Sequence, residues 1–152
     1  MTGLETVADA IRVAIIREGY ACELYKQLRL NTDEPELQDL FGDLAQQELE
    51  HKRKLEFELI KQGNVNKPID TSISLDAMEY LEELPSPEGM DHKEVMLFGI
   101  AKERTSFQFY TLLAGTITDR ELQNVLLALA EEEAKHIQRF ETAYEQSISN
   151  QD

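Results

Sequence analysis

Two glutamate–histidine pairs, Glu48 with His51 and Glu133 with His136, stand three positions apart, so on a helix each pair shares one face. Carboxylate oxygen and imidazole nitrogen are both metal donors, and this spacing lets one ion touch both. Two further glutamates, Glu18 and Glu103, precede the pairs at matched distances. Indeed, 103 − 18 and 136 − 51 both equal 85, and the same offset lays Tyr25 on Tyr110 and Glu48 on Glu133. Apolar positions follow suit: Ile15 falls on Ile100, Leu28 on Leu113, Leu44 on Leu129 and Ala45 on Ala130. The chain reads as two copies of one helical hairpin.

Apolar residues recur at steps of three and four through four long stretches, the signature of amphipathic helices rather than strands. The first helix is expected over about residues 5–30, with Thr2 and Glu5 spaced as a capping box. A second is expected over about 34–63, opened by Asp33, Pro35 and Glu36 and stopped at Gly63. A crossover of about 64–90 follows, with Pro68, Pro85, Pro87 and Gly89 around SLDAMEYLEEL, expected to form a short helix. The third helix is expected over about 91–115, with Glu94 three residues after Asp91, and the fourth over about 119–147, from a Thr118–Glu121 box. Two short connections and one long one imply a single all-α domain over 1–152: a ferritin-like four-helix bundle of two antiparallel hairpins.

The decisive feature is where the ligand-type residues fall. Carboxylates ordinarily take the solvated face of a helix. Here the apolar stripes read Val7, Ile11, Ala14, Glu18, Ala21, Tyr25, Leu28, and Leu37, Leu40, Leu44, Glu48, His51, Leu55, Leu59. The second half repeats the pattern with Met96, Ile100, Glu103, Phe107, Tyr110, Ala114, and Leu122, Val125, Leu129, Glu133, His136, Phe140. Burying four ionised carboxylates would cost more than the roughly 5 to 15 kcal/mol that holds a domain folded. The stripes carry no compensating cation, since Lys52, Arg53, Arg104 and Lys135 lie off them, so two divalent metal ions are the expected counter-charge.

One glutamate from each of two helices and a Glu-x-x-His pair from each of the other two make a di-iron carboxylate arrangement. Imidazole with oxygen donors suits iron or manganese better than structural zinc, with manganese or zinc as possible substitutes. Singly, either histidine reads as a satisfied core residue; the six together read as a ligand set. Tyr25 and Tyr110 either fill the core or bond the ligand carboxylates from behind, and the second reading is adopted. His92 is read as a surface residue and Cys22 as a small buried hydrophobe.

Composition narrows the partners. With 15 Lys plus Arg against 30 Asp plus Glu, the net charge of −15 repels nucleic acid and anionic membrane surfaces. A single cysteine allows no disulfide within the chain and no cysteine-ligated cluster, which fits a reducing cytoplasm. The N-terminal residues show neither a signal peptide nor a membrane span, so a cytoplasmic location is expected.

The segments AQQELEHKRKLE and LALAEEEAKHIQRFE, with the openings REGYACELY and KERTSFQFY, resemble rubrerythrin and its ferritin-like relatives across all four helices. The resemblance implies that Glu48 and Glu133 bridge two irons, with Glu18 and His51 completing one site and Glu103 and His136 the other. It implies a non-haem di-iron oxidoreductase that reduces peroxide or O2, an activity suited to oxidative-stress defence; ferroxidase, iron storage or iron carriage is the alternative, and a metal-free interaction module a third. Two features depart from the family. The chain lacks the four cysteines of a rubredoxin-like domain, so a separate rubredoxin-like protein or flavoprotein is expected to donate electrons. Ser106 stands where rubrerythrins commonly place a further carboxylate, which leaves six ligands. A homodimer or small homo-oligomer is expected.

Overall fold

The computed structural model describes residues 7–61 and 88–149. Four helices account for almost all of them, and no strand occurs among the described residues: α1 (Val7–Leu30), α2 (Pro35–Lys61), α3 (His92–Thr116) and α4 (Arg120–Ser149). The Thr2–Glu5 box, the stop at Gly63 and the short helix expected in SLDAMEYLEEL lie outside the described residues. No described helix is long and apolar enough to cross a membrane. The chain divides into two compact units, Met1–Glu82 with α1 and α2, and Glu83–Asp152 with α3 and α4.

Each unit is an antiparallel hairpin whose turn is fixed by local polar contacts. Before α2, the Thr32 hydroxyl accepts from the Glu34 amide at 3.3 Å, while the Gln38 side chain donates to the Thr32 carbonyl at 2.8 Å. Pro35 then opens the helix where its missing N–H costs nothing. Asp91 and Glu94 make the reciprocal box expected of them, the Asp91 carboxylate accepting from Glu94 N at 2.8 Å and the Glu94 carboxylate accepting from Asp91 N at 3.3 Å.

The cap of α4 differs from the expected Thr118–Glu121 box. Asp119 Oδ1 accepts from Leu122 N at 3.2 Å, and a carboxylate there also meets the positive end of the helix dipole. Gln123 then secures the turn, its side-chain amide donating to Ala114 O at 2.8 Å and Ile117 O at 3.4 Å.

Buried faces follow the stripes read from the sequence, with instructive departures. Phe107, expected in the core, is 36% exposed. The buried arc of α3 is centred toward Gly99, Ser106 and Tyr110, with Phe109 and Phe98 on its far side, which leaves Phe107 at its edge. Val7, Leu59 and Val125 are only half-buried, whereas Glu58 and Leu126 are buried.

The first half of α1 is buried nearly all round, and it takes Arg12 and Arg17 inside with it. Arg12 is fully enclosed, with Nη1 3.1 Å from the Asp9 carboxylate. Its counterpart 85 positions on, Leu97, is 49% exposed. In the second unit, α3 and α4 approach closely at Gly99: a Cβ there would lie 2.5 Å from Cε1 and Cζ of Phe140.

Candidate metal centre

In the first unit, α1 supplies Glu18 and α2 supplies Glu48 and His51 from one face. His51 Nδ1 lies 3.5 Å from Glu18 Oε2 and 3.9 Å from Glu48 Oε1. The second unit repeats this: His136 Nδ1 of α4 lies 3.5 Å from Glu103 Oε2 of α3 and 3.7 Å from Glu133 Oε1. Two hairpins of different sequence thus build one triad twice, agreeing to within 0.2 Å in these separations.

None of the six side chains is more than 3% exposed. The separations exceed the roughly 2.7 to 3.2 Å of an N–H···O hydrogen bond. They suit donor atoms placed around an ion: ligands about 2.1 Å from a metal stand roughly 3.0 Å apart at right angles and about 3.4 Å apart at a tetrahedral angle. In each unit one donor atom from every member of the triad falls within 4.8 Å of the other two.

Charge points the same way. With both carboxylates ionised and the imidazole neutral, each triad carries two negative charges away from water, which one divalent ion balances. Oxygen and imidazole nitrogen donors, with no thiolate among them, suit a divalent metal ion. The donor set therefore fits a metal on both the charge and the spacing of its atoms.

Arg12 and Arg17 are buried basic residues that the stripe pattern did not flag. Arg12 is engaged by Asp9, outside the triads, and Arg17 adjoins Glu18 in sequence, where consecutive residues point to different faces. Arg53, Arg104 and Lys135 are exposed and Lys52 half-buried.

Tyr25 and Tyr110 are both fully enclosed, each seven positions along its helix from the glutamate of α1 or α3. Tyr110 also packs edge-on against Phe109, with ring centroids 5.6 Å apart. Cys22 is a free, buried thiol and His92 is exposed, as their settings in the sequence suggested. Arg12 and Gly99 were missed. The signal for Arg12 was its place inside the apolar run DAIRVAII; for Gly99 it was the alignment with Ala14 in the repeat.

The family model described as Rubrerythrin matches residues 9–93 and 94–152, nearly the whole chain in two segments. The chain belongs to the rubrerythrin family. Its division, between residues 93 and 94, falls in the first turn of α3, so each segment covers the ligand-bearing part of one hairpin. No curated protein matches this rubrerythrin-family chain.

Two solved structures resemble it: a hypothetical protein from Pyrococcus furiosus, 20% identical, covering 95% of this chain and 92% of that one, with a TM-score of 0.75. The other is described as a dodecameric thioferritin, the bacterioferritin-related protein from Bacteroides fragilis, 18% identical, covering 98% and 92%, with a TM-score of 0.69. At these identities the likeness speaks to fold alone, and the fold is an all-α, ferritin-like four-helix bundle.

Proposed function

We propose that this rubrerythrin-family chain is a cytoplasmic non-haem di-iron oxidoreductase that reduces peroxide or O2 and serves in defence against oxidants. The observation that carries the reading is the repeated Glu-Glu-His triad, buried and spaced for metal in each hairpin. By the family resemblance, two irons would be held by Glu18, Glu48, His51, Glu103, Glu133 and His136, with Glu48 and Glu133 as the shared ligands, Glu18 and His51 completing one position and Glu103 and His136 the other. Bound there, a pair of irons supplies two-electron redox chemistry toward peroxide or O2.

The residues of the chain supply everything around that chemistry. Carboxylates can bind through one oxygen or two, so Glu18 and Glu103 accommodate a change of metal charge without moving their helices. Apolar neighbours on each stripe, Leu44, Leu55, Leu129 and Phe140, are closed to solvent and keep water off the ligands. The hydroxyls of Tyr25 and Tyr110 hold the carboxylates from behind. Electrons to reset the centre come from a separate rubredoxin-like protein or flavoprotein.

Stopped-flow mixing of Fe2+-loaded protein with H2O2, and separately with O2, tests the activity. Oxidation much faster than that of free Fe2+ supports it; a rate equal to that of free Fe2+ removes it.

Iron handling is a second reading, favoured by the likeness to a protein described as a dodecameric thioferritin. Light scattering discriminates. A dimer or small oligomer binding two irons per chain supports the oxidoreductase, whereas a cage holding many irons per chain supports ferroxidase and storage.

A further inference from the structure

Building on the metal-binding reading above, we propose that Gly99 and Phe140 form a positioning pair that fixes the spacing of Glu103 and His136. Gly99 lies four residues before Glu103 on α3, and Phe140 four residues after His136 on α4. Residues four apart share a helix face, and α3 and α4 run antiparallel, so the glycine–phenylalanine contact sits one turn from the ligand contact.

The approach is close. A Cβ at position 99 would lie 2.5 Å from Cε1 and Cζ of Phe140 and 2.8 Å from Cδ1, separations that packed carbon atoms do not adopt. Phe140 is fully enclosed, so its ring has no solvent-side space to swing into. An added methyl must push α3 and α4 apart or turn Phe140 out of its rotamer, and either strain is transmitted one turn along to a Glu103–His136 contact of 3.5 Å.

The first unit fills the equivalent level differently. The 85-residue offset places Ala14 on Gly99 and Leu55 on Phe140, and both Ala14 and Leu55 are fully enclosed. The corresponding positions carry a methyl and an isobutyl group in one hairpin, and no side chain against a phenyl ring in the other. The small partner shrinks as the large one grows, while the histidine-to-glutamate distance is 3.5 Å in both units. That exchange preserves ligand spacing through a compensating change of volume, and it makes position 99 intolerant of the alanine that its counterpart carries.

Anaerobic titration with Co2+, a redox-silent probe with visible absorption bands, tests the pair in the full chain. Wild type takes up two equivalents. Gly99→Ala is expected to weaken one equivalent by about tenfold or more and to leave the other within about threefold, the size of effect seen when support around a ligand is disturbed. Gly99→Ala with Phe140→Leu, which installs the first unit's pair, is expected to restore it.

Tight binding of both equivalents by folded Gly99→Ala overturns the proposal, whatever happens to its melting temperature. Failure of the double variant to restore binding overturns it equally. Should Gly99→Ala not fold, Phe140→Leu replaces it as the reference: the double variant must bind the weakened equivalent more tightly than Phe140→Leu alone, and equal affinities refute the pairing. No Co2+ uptake by wild type overturns the metal reading itself and this role with it.

Discussion

Glu133 shows what is at stake for a single residue. Its carboxylate is fully enclosed beside His136, so ionising it in the metal-free protein carries a desolvation cost. Glu133→Gln keeps the shape and removes the charge. We expect it to raise the melting temperature of the metal-free protein, because a neutral amide costs less to bury than an ionised carboxylate. The same change should abolish most of the stabilisation that metal confers. Melting curves with chelator and with Co2+ measure both effects, and a variant that melts lower without metal yet responds to it like wild type contradicts the charge argument. Binding also requires the ligands to be deprotonated, so Co2+ affinity should fall as the solution is acidified, as a pH series of the titration will show.

At the scale of helices, the caps can be separated from the chemistry. Asp91 closes a box with Glu94 at the start of α3, and removing its carboxylate in Asp91→Ala should cost about 1 kcal/mol of stability. Because the cap lies three turns from Glu103, the Co2+ affinity of that variant should equal wild type's; denaturant melts and the titration together check this. The sequence announced such features unevenly. Stripes of apolar residues interrupted by glutamate and histidine located the ligands, because a strongly charged side chain at a core position stands out against its neighbours. Phe107 misled for the opposite reason: an aromatic residue at the edge of a buried arc has the same spacing as one at its centre. Asp119 replaced Thr118 as the cap of α4 because two adjacent residues can both bond an open helix end, and spacing alone does not choose between them.

For the molecule as a whole, the repeat was legible because identical ligands recur at a constant offset. The enclosed Arg12 was not, because the burial of a residue depends on everything packed around its helix and not on that helix alone. If the triads hold metal, stripping it should lower the stability of the whole chain: at a free ion concentration 100 times Kd the loss is about 2.7 kcal/mol for each site. Melting with and without a chelator measures it, and identical curves would argue against structural coupling. Arg12 and Leu97 carry a last consequence. They occupy corresponding positions, yet one is enclosed against a half-buried Asp9 and the other looks onto solvent. The halves have ceased to be interchangeable at this level: a guanidinium group that suits an enclosed setting and a leucine that meets water could not trade places without loss.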